Sequence, residues 1–197
     1  MICEALHNCI AHQDYLLAGK ITVTEFPDCL IFTSVGSFAA DSVESVIARD
    51  SPPEFYRNPF LCHAMVALNM IDTIGSGIRR MFIKQRERLF PMPDYDLADP
   101  RKVKVVVPGK IIDPNYSRVL YSQTDLSLAD VIALDRVQKR LPITDEEAKA
   151  LRTLKLIEGR KPKYLVAAKI AALTDTKVEY IKNKTLDRSH LPTPRLA

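Results

Sequence analysis

The sequence predicts an α+β fold built in two parts, and three observations lead to this prediction. Its 197 residues are 47% hydrophobic and 26% charged, a composition typical of a globular protein that can bury a real core in one domain or two. Alternating apolar and polar residues indicate strands in the first half and again in a short basic hairpin near the end. Between them, Pro108–Asn115 holds two prolines and a glycine, which marks a boundary between domains.

The first half opens with a predicted helix and continues into a predicted β-hairpin. Gly19 ends the helical pattern, and residues 20–26 then alternate as a half-buried strand does. Pro27-Asp28 is typical of a compact turn, and residues 29–33 supply the returning strand.

A long connection and two further helices follow this hairpin. The stretch 35–58 is irregular, with one short helix predicted near 42–48. Asn58-Pro59 is a residue pair preferred at helix starts, which predicts a helix over 60–69. A glycine turn then leads into another helix, and residues 103–107 alternate as a last strand.

The second half is predicted to form three helices followed by a small hairpin. Thr144 and Glu147 have the spacing of a capping box, so they start the third helix, which places Leu154 on its inner face. Three helices followed by a basic hairpin is the order of a winged helix-turn-helix. The predicted elements are helices 116–124, 127–139 and 144–155 and strands 156–158 and 163–166.

These patterns divide the chain into domains. The first domain covers residues 1–108, and a linker covers 109–116. The second domain covers 117–186 and includes one more helix over 174–184. Residues 187–197, with two prolines, are expected to be a disordered tail.

The cysteines and the hydropathy exclude several classes of protein. The four cysteines have no CxxC spacing, which favours reduced thiols in a cytoplasmic protein over a disulfide framework or a zinc site. No signal peptide is expected, because no basic region followed by an apolar run opens the sequence, and the apolar stretch 61–71 is too short to span a bilayer, so no membrane partner is expected either.

Three polar residues lie on one stripe of the opening helix. Glu4, Asn8 and His12 follow each other at intervals of four, close to one helical turn. This stripe is either a solvated face, opposite apolar residues such as Leu6 and Cys9, or a magnesium-nucleotide site. In a nucleotide site Asn8 would be the metal ligand and Glu4 would polarise a water molecule.

A glycine turn and a basic segment are two further candidate sites. Gly75-Ser-Gly77 precedes a helix and offers backbone N–H groups to an anion, although a tight corner between helices has the same pattern. Residues 136–163 contain nine basic and four acidic side chains, a net charge of +5. Such a surface either binds phosphates or is simply solvated.

Several ordered motifs together resemble the RecG-related transcriptional regulators, over residues 2–185. Phe26–Gly36 is similar to the strand and glycine turn of that family. The other matching segments, each followed by the family motif that it resembles, are Glu4–Tyr15 ("EALxNAxxHRDY"), Arg57–Pro59 ("RNP") and Gly75–Met81 ("GTGIxRM"). Leu134–Lys139 and Leu156–Pro162 together resemble "LDKVQK…LIEGRKP".

The resemblance implies a GHKL-like α/β sandwich domain followed by a winged-helix domain that binds duplex DNA. ATP and Mg²⁺ are the implied cofactors. Full-length relatives carry another domain ahead of this region, so the chain is expected to be a carboxy-terminal fragment. No Walker P-loop or helicase motor is found in the sequence.

The resemblance also implies roles for individual residues of the first domain. Glu4 would be the general base and Asn8 the magnesium ligand. The remaining nucleotide-binding positions would be His12, Gly36, Gly75 and Gly77.

Departures from the family pattern count against catalysis. Thr33–Ser37 replaces "SNPGG", and Gln13 and Cys3 stand where relatives have arginine. A pocket that lacks two basic residues and a special turn binds phosphate less well. We therefore expect a degenerate nucleotide sensor; a weak Mg-ATPase and an interaction scaffold are the alternatives.

In the second domain the resemblance implies a DNA interface on the hairpin and the third helix. Acidic residues at positions 145–147 crowd the start of that helix, so protein contacts or homodimerisation are the alternative use. Nucleotide occupancy of the first domain would bias the second. The expected DNA-binding residues are Arg160, Lys161 and Lys163 on the hairpin and Lys149, Arg152 and Lys155 on the helix.

Overall fold

The computed structural model describes residues 1–40, 42–48, 56–71 and 76–168. The chain divides into two compact units, Met1–Ile111 and Ile112–Ala197, so the division lies inside the segment 109–116 predicted as a linker. The described residues form a mixed α+β structure with antiparallel strands. The predicted helix over 174–184 and the predicted tail lie outside the described residues.

The first unit is a four-stranded antiparallel sheet with four helices among its described residues. The strand order is β1-β2-β4-β3, and the β1–β2 pairing confirms the predicted hairpin. The elements are α1 (Ile2–His12), β1 (Thr22–Glu25), β2 (Cys29–Val35), α2 (Val43–Ala48), α3 (Pro59–Ala67), α4 (Gly77–Glu87), β3 (Asp94–Asp96) and β4 (Lys102–Pro108).

The core of this unit lies between the sheet and helices α1 and α4. Small side chains of α1 allow this close packing, because Ala5 and Cys9 are the buried residues on its sheet-facing side. They pack with Phe32 of β2, Met81 of α4 and valines of β4. The α1 stripe carrying Glu4 and Asn8 lies beside this buried face.

Two predictions about burial are wrong. Strand β1 is exposed along its whole length, because it is an edge strand paired only with β2. Leu154 is 42% exposed because α7 (Asp145–Thr153) ends one residue earlier, so Leu154 leaves the inner face.

The second unit contains three helices and a two-stranded hairpin among its described residues. The capping box is confirmed: the Thr144 hydroxyl accepts from the Glu147 N–H, and the Glu147 carboxylate accepts from the Thr144 N–H. A core of Val131, Leu134 and Leu151 is fully buried. The elements are α5 (Pro114–Ser122), α6 (Leu128–Gln138), α7, β5 (Ile157–Arg160) and β6 (Lys163–Val166).

In the part of the chain that the structure describes, no helix is both long and apolar enough to cross a membrane.

Candidate functional site

Helices α1 and α4 bring three of the predicted site residues together. Gly77 is the first residue of α4, and a Cβ added to it would overlap Glu4 Oε1 and lie 3.6 Å from Asn8 Nδ2. Only glycine fits at this position without displacing the Glu4 carboxylate. The structure therefore places Glu4, Asn8 and Gly77 at one point, the amino-terminal end of α4.

Arg80 is a member of this cluster that the sequence did not reveal. Its Nη2 donates to Glu4 Oε2 at 3.2 Å, and the side chains of Arg80 and Glu4 are 47% and 17% exposed. Arg80 lies one helical turn after Gly77, the first residue of α4. This spacing was the sequence signal that could have placed Arg80 in the cluster. Glu4 thus already has a cationic partner.

Asn8 has a buried polar atom that no other group satisfies in the part of the chain that the structure describes. Its Nδ2 is buried and makes no hydrogen bond. A buried donor without an acceptor costs free energy in the unliganded protein, and such groups are uncommon. The amide therefore fits a ligand with acceptor oxygens beside Gly77.

The donor set also fits a magnesium ion carried by a nucleotide. Mg²⁺ in such sites takes one or two protein oxygens and completes its octahedral shell with phosphates and water. The Asn8 amide oxygen could supply one such ligand. Within the described ranges no three His, Cys, Asp or Glu side chains are grouped to hold a metal ion by themselves.

Arg57 and Gly36 form a second cluster at the carboxyl end of β2. Gly36 has a φ of +123°, and a Cβ there would overlap the Arg57 guanidinium. Arg57 donates to the His12 carbonyl at 3.2 Å and to the Ser37 carbonyl at 2.9 Å. The structure thus places Gly36 under an arginine that ties α1 to the end of β2.

His12 lies beside this arginine, at the carboxyl end of α1. Its Nδ1 is buried without a hydrogen-bond partner. Burial of the ring, and then the neighbouring Arg57 cation, lower the pKa of His12 below its ordinary value. The ring is therefore neutral at pH 7. As predicted from the sequence, His12 lies one helical turn after Asn8 on α1.

Asn58 and Gln13 fix the same end of α1. Asn58 donates from Nδ2 to the carbonyls of Ala11 and Gln13, at 3.0 and 2.8 Å. The buried Gln13 side chain donates to the Gly19 carbonyl and accepts from the Val35 N–H. An arginine could not accept that bond, so Gln13 has a structural role of its own here.

The remaining predicted nucleotide residue, Gly75, lies outside the described residues.

In the second unit, four of the six predicted DNA-binding side chains are exposed cations that have no intramolecular partner among the described residues. These are Lys149, Lys155, Arg160 and Lys163.

The other two predicted DNA-binding residues make contacts within the unit. Arg152 donates to the Gly159 carbonyl at 3.0 Å, and its guanidinium lies 5.2 Å from the Tyr164 ring centroid. Lys161 binds Asp145 at 2.8 Å, and this hydrogen bond raises the pKa of Lys161. Lys161 therefore offsets one of the acidic charges at the start of α7.

A comparison with protein families bears on the first unit. Residues 19–107, less than half of the chain, match an ATPase-like family model described as "Putative ATP-dependent DNA helicase recG C-terminal". This range includes Gly36, Arg57, Gly77 and Arg80 but not Glu4, Asn8 or His12. Over this range the first unit is therefore similar to a RecG-related ATPase-like domain.

The fold also resembles a solved structure, the DIP2311 protein from Corynebacterium diphtheriae. The TM-score is 0.51 at 22% sequence identity, over 87% of this chain and 41% of that chain. The present chain thus spans well under half of that protein, and the likeness concerns the fold. No curated protein matches the chain.

Proposed function

We propose that the first unit binds a nucleotide together with Mg²⁺ at the cluster of Glu4, Asn8 and Gly77. The observation that carries this proposal is the buried Asn8 amide, which has no partner and faces the start of α4. Gly77 lets a phosphate approach the backbone N–H groups of the helix. The match of residues 19–107, which include Gly77, to an ATPase-like family supports nucleotide binding by this unit.

Within this site the chain's own residues would bind and orient the nucleotide. The Asn8 oxygen would hold the metal ion, and the Asn8 N–H would donate to a phosphate oxygen. Bound Mg²⁺ would neutralise phosphate charge. Glu4 would polarise water only after leaving Arg80, and the segment Thr33–Ser37 lacks the asparagine, the proline and one of the two glycines of the family pattern. We therefore expect binding with little or no hydrolysis.

Calorimetric titration with ATP and Mg²⁺ tests this proposal. We expect saturable binding by the full chain that weakens at least about tenfold in Asn8→Ala and disappears when the metal is chelated. Cys3→Ala, an exposed change on the same helix, is the matched control. Binding that is equal in Asn8→Ala and in the full chain would contradict the assignment, and no binding would leave an interaction scaffold.

A second candidate function, binding of duplex DNA, is favoured by the charge on the second unit. Its exposed cations lie on α7 (Lys149), two residues after the end of α7 (Lys155, predicted on the helix) and at both ends of the β5–β6 turn. Three helices followed by a hairpin is the element order of a winged helix-turn-helix. The Lys161–Asp145 pair reduces the repulsion between α7 and a phosphate. Together the two sites would make a nucleotide-sensing transcriptional regulator.

Fluorescence anisotropy with a labelled duplex at several salt concentrations tests the DNA site. In Arg160→Ala/Lys163→Ala we expect the slope of log affinity against log salt to fall by roughly two, one for each lost phosphate contact. Arg101→Ala/Lys102→Ala, in the first unit, removes the same charge as a control. Equal slopes in both variants would exclude the hairpin as the interface and favour protein contacts or a homodimer.

A further inference from the structure

We propose that Arg80 changes its partner when the site fills: it binds the Glu4 carboxylate in the unliganded protein and a nucleotide phosphate in the complex. This inference rests on the nucleotide site proposed above and concerns how occupation of that site is controlled. It assigns Arg80 a positioning role, and it makes Glu4 a competitor of the ligand as well as a polar group of the site.

The position of the Glu4 carboxylate carries the first step. One carboxylate oxygen lies against Gly77, the first residue of α4, and the other accepts from Arg80 one turn later. The amino-terminal end of an 11-residue helix favours an anion, through its unpaired N–H groups and its dipole. Glu4 therefore occupies the place at which an incoming phosphate would be bound.

The strength of the pair carries the second step. Because the Arg80 side chain is 47% exposed, water competes for its guanidinium, and such an ion pair stabilises the protein only weakly. A phosphate carries more charge than a carboxylate and matches the guanidinium fork with two oxygens. An exchange of Arg80 from Glu4 to a phosphate is therefore energetically feasible.

The unpaired Asn8 amide carries the third step. In the unliganded protein the buried Nδ2 has no acceptor, although the Glu4 carboxylate lies on the same side of α1. A phosphate oxygen beside Gly77 would satisfy this donor at the moment when Arg80 is recruited. In the complex the Asn8 amide is then hydrogen-bonded, and the Glu4 carboxylate is released toward the solvent side of the site.

The exchange predicts an effect opposite to that of losing a simple general base. Glu4→Gln keeps the shape of the side chain but removes the competing charge, so we expect the affinity for Mg-ATP to rise about fivefold. Because the gain comes from freeing Arg80, it should shrink to less than about twofold when measured in an Arg80→Gln background.

The experiment is a double-mutant cycle by calorimetry with ATP and Mg²⁺ on the full chain, Glu4→Gln, Arg80→Gln and the double variant. Glu87→Gln and Lys84→Gln are matched controls, because this exposed 2.7 Å pair lies on the same helix and the charge changes are identical. Thermal melting of every variant shows that each is folded.

Three results would overturn the proposal. A gain from Glu4→Gln that is equal in both backgrounds would mean that only charge repulsion was removed and that Arg80 does not reach the phosphate. A loss of affinity in Glu4→Gln would make Glu4 a ligand-holding group. Absence of binding by all variants, Glu4→Gln included, would refute the nucleotide site itself. Failure of the proposed site is thus distinguished from failure of the exchange of Arg80.

Discussion

The two units of this chain satisfy their polar side chains over very different distances along the sequence. In the first unit, Arg80 reaches Glu4 across 76 residues. In the second, the ion pair of Asp135 and Lys139 joins neighbouring turns of one helix, α6. The first unit thus builds its polar cluster from elements far apart in the sequence and leaves the Asn8 amide unpaired, whereas the ion pairs described in the second unit join residues at most 16 apart. The difference suggests that the first unit is shaped for a ligand.

The largest expected effect on stability comes from breaking the buried ion pair of Asp135 and Lys139 in the second unit. Asp135 and Lys139 lie 2.7 Å apart with side chains only 5% and 9% exposed. Asp135→Asn removes the carboxylate from a buried ammonium group, so we expect the free energy of unfolding to fall by about 3 kcal/mol. Urea unfolding followed by circular dichroism measures this change.

A surface pair in the first unit provides the control for this prediction. Lys84 and Glu87 are also 2.7 Å apart on one helix, but both side chains are more than half exposed. Glu87→Gln should change the free energy of unfolding by less than about 0.5 kcal/mol. Equal losses in Asp135→Asn and Glu87→Gln would show that burial does not distinguish the two pairs.

An intermediate effect is expected where the first unit is held together by long-range hydrogen bonds. Asn58→Ala leaves the carbonyls of Ala11 and Gln13 without their side-chain donor, and we expect a loss of about 2 kcal/mol in the free energy of unfolding. Ser37→Ala removes only an exposed acceptor of Arg57, so its loss should stay below about 0.5 kcal/mol. If the two variants unfold at the same urea concentration, the end of α1 is not fixed by Asn58.

The sequence predicted the elements that have local signals. Thr144 and Glu147 mark the start of α7 because a capping box needs only residues three apart. Asn58-Pro59 marks the start of α3 through Pro59 in the first turn, although the Asn58 side chain makes no cap hydrogen bond and binds the end of α1 instead. Strand β3 was missed, since Asp94–Asp96 is three residues long and its two aspartates are uncommon in strands.

The candidate site could be predicted only in part, for the same physical reason. Glu4, Asn8 and Gly77 were recognisable from spacing and from the family resemblance. The partnership of Arg80 with Glu4 depends on how α1 and α4 pack, which no local pattern encodes. In the second unit, the sequence showed a basic hairpin but not that Lys161 binds Asp145 across 16 residues. Tertiary pairing therefore decides which charges are available to a partner.

The smallest expected effect is a loss of stability of the first unit on acidification. Three of the four histidines lie in the first unit, at positions 7, 12 and 63, and the fourth is His190. Burial and the Arg57 cation lower the pKa of His12 in the folded protein, whereas the unfolded chain has the ordinary value of about 6.5. Between these two pKa values the unfolded chain binds more protons, so stability falls as the pH decreases.

We therefore expect the melting temperature to decrease between about pH 7.5 and about pH 5.5, with a smaller decrease in His12→Gln. His63→Gln, an exposed change on α3, should keep the full decrease. Differential scanning calorimetry at several pH values measures both. An unchanged pH dependence in His12→Gln would mean that the buried ring does not titrate between these limits. A smaller pH dependence in His12→Gln would show that a neutral histidine stabilises the end of α1 next to the proposed site. Protonation of His12 would then disturb the site in the first unit and leave the ion pairs of the second unit intact.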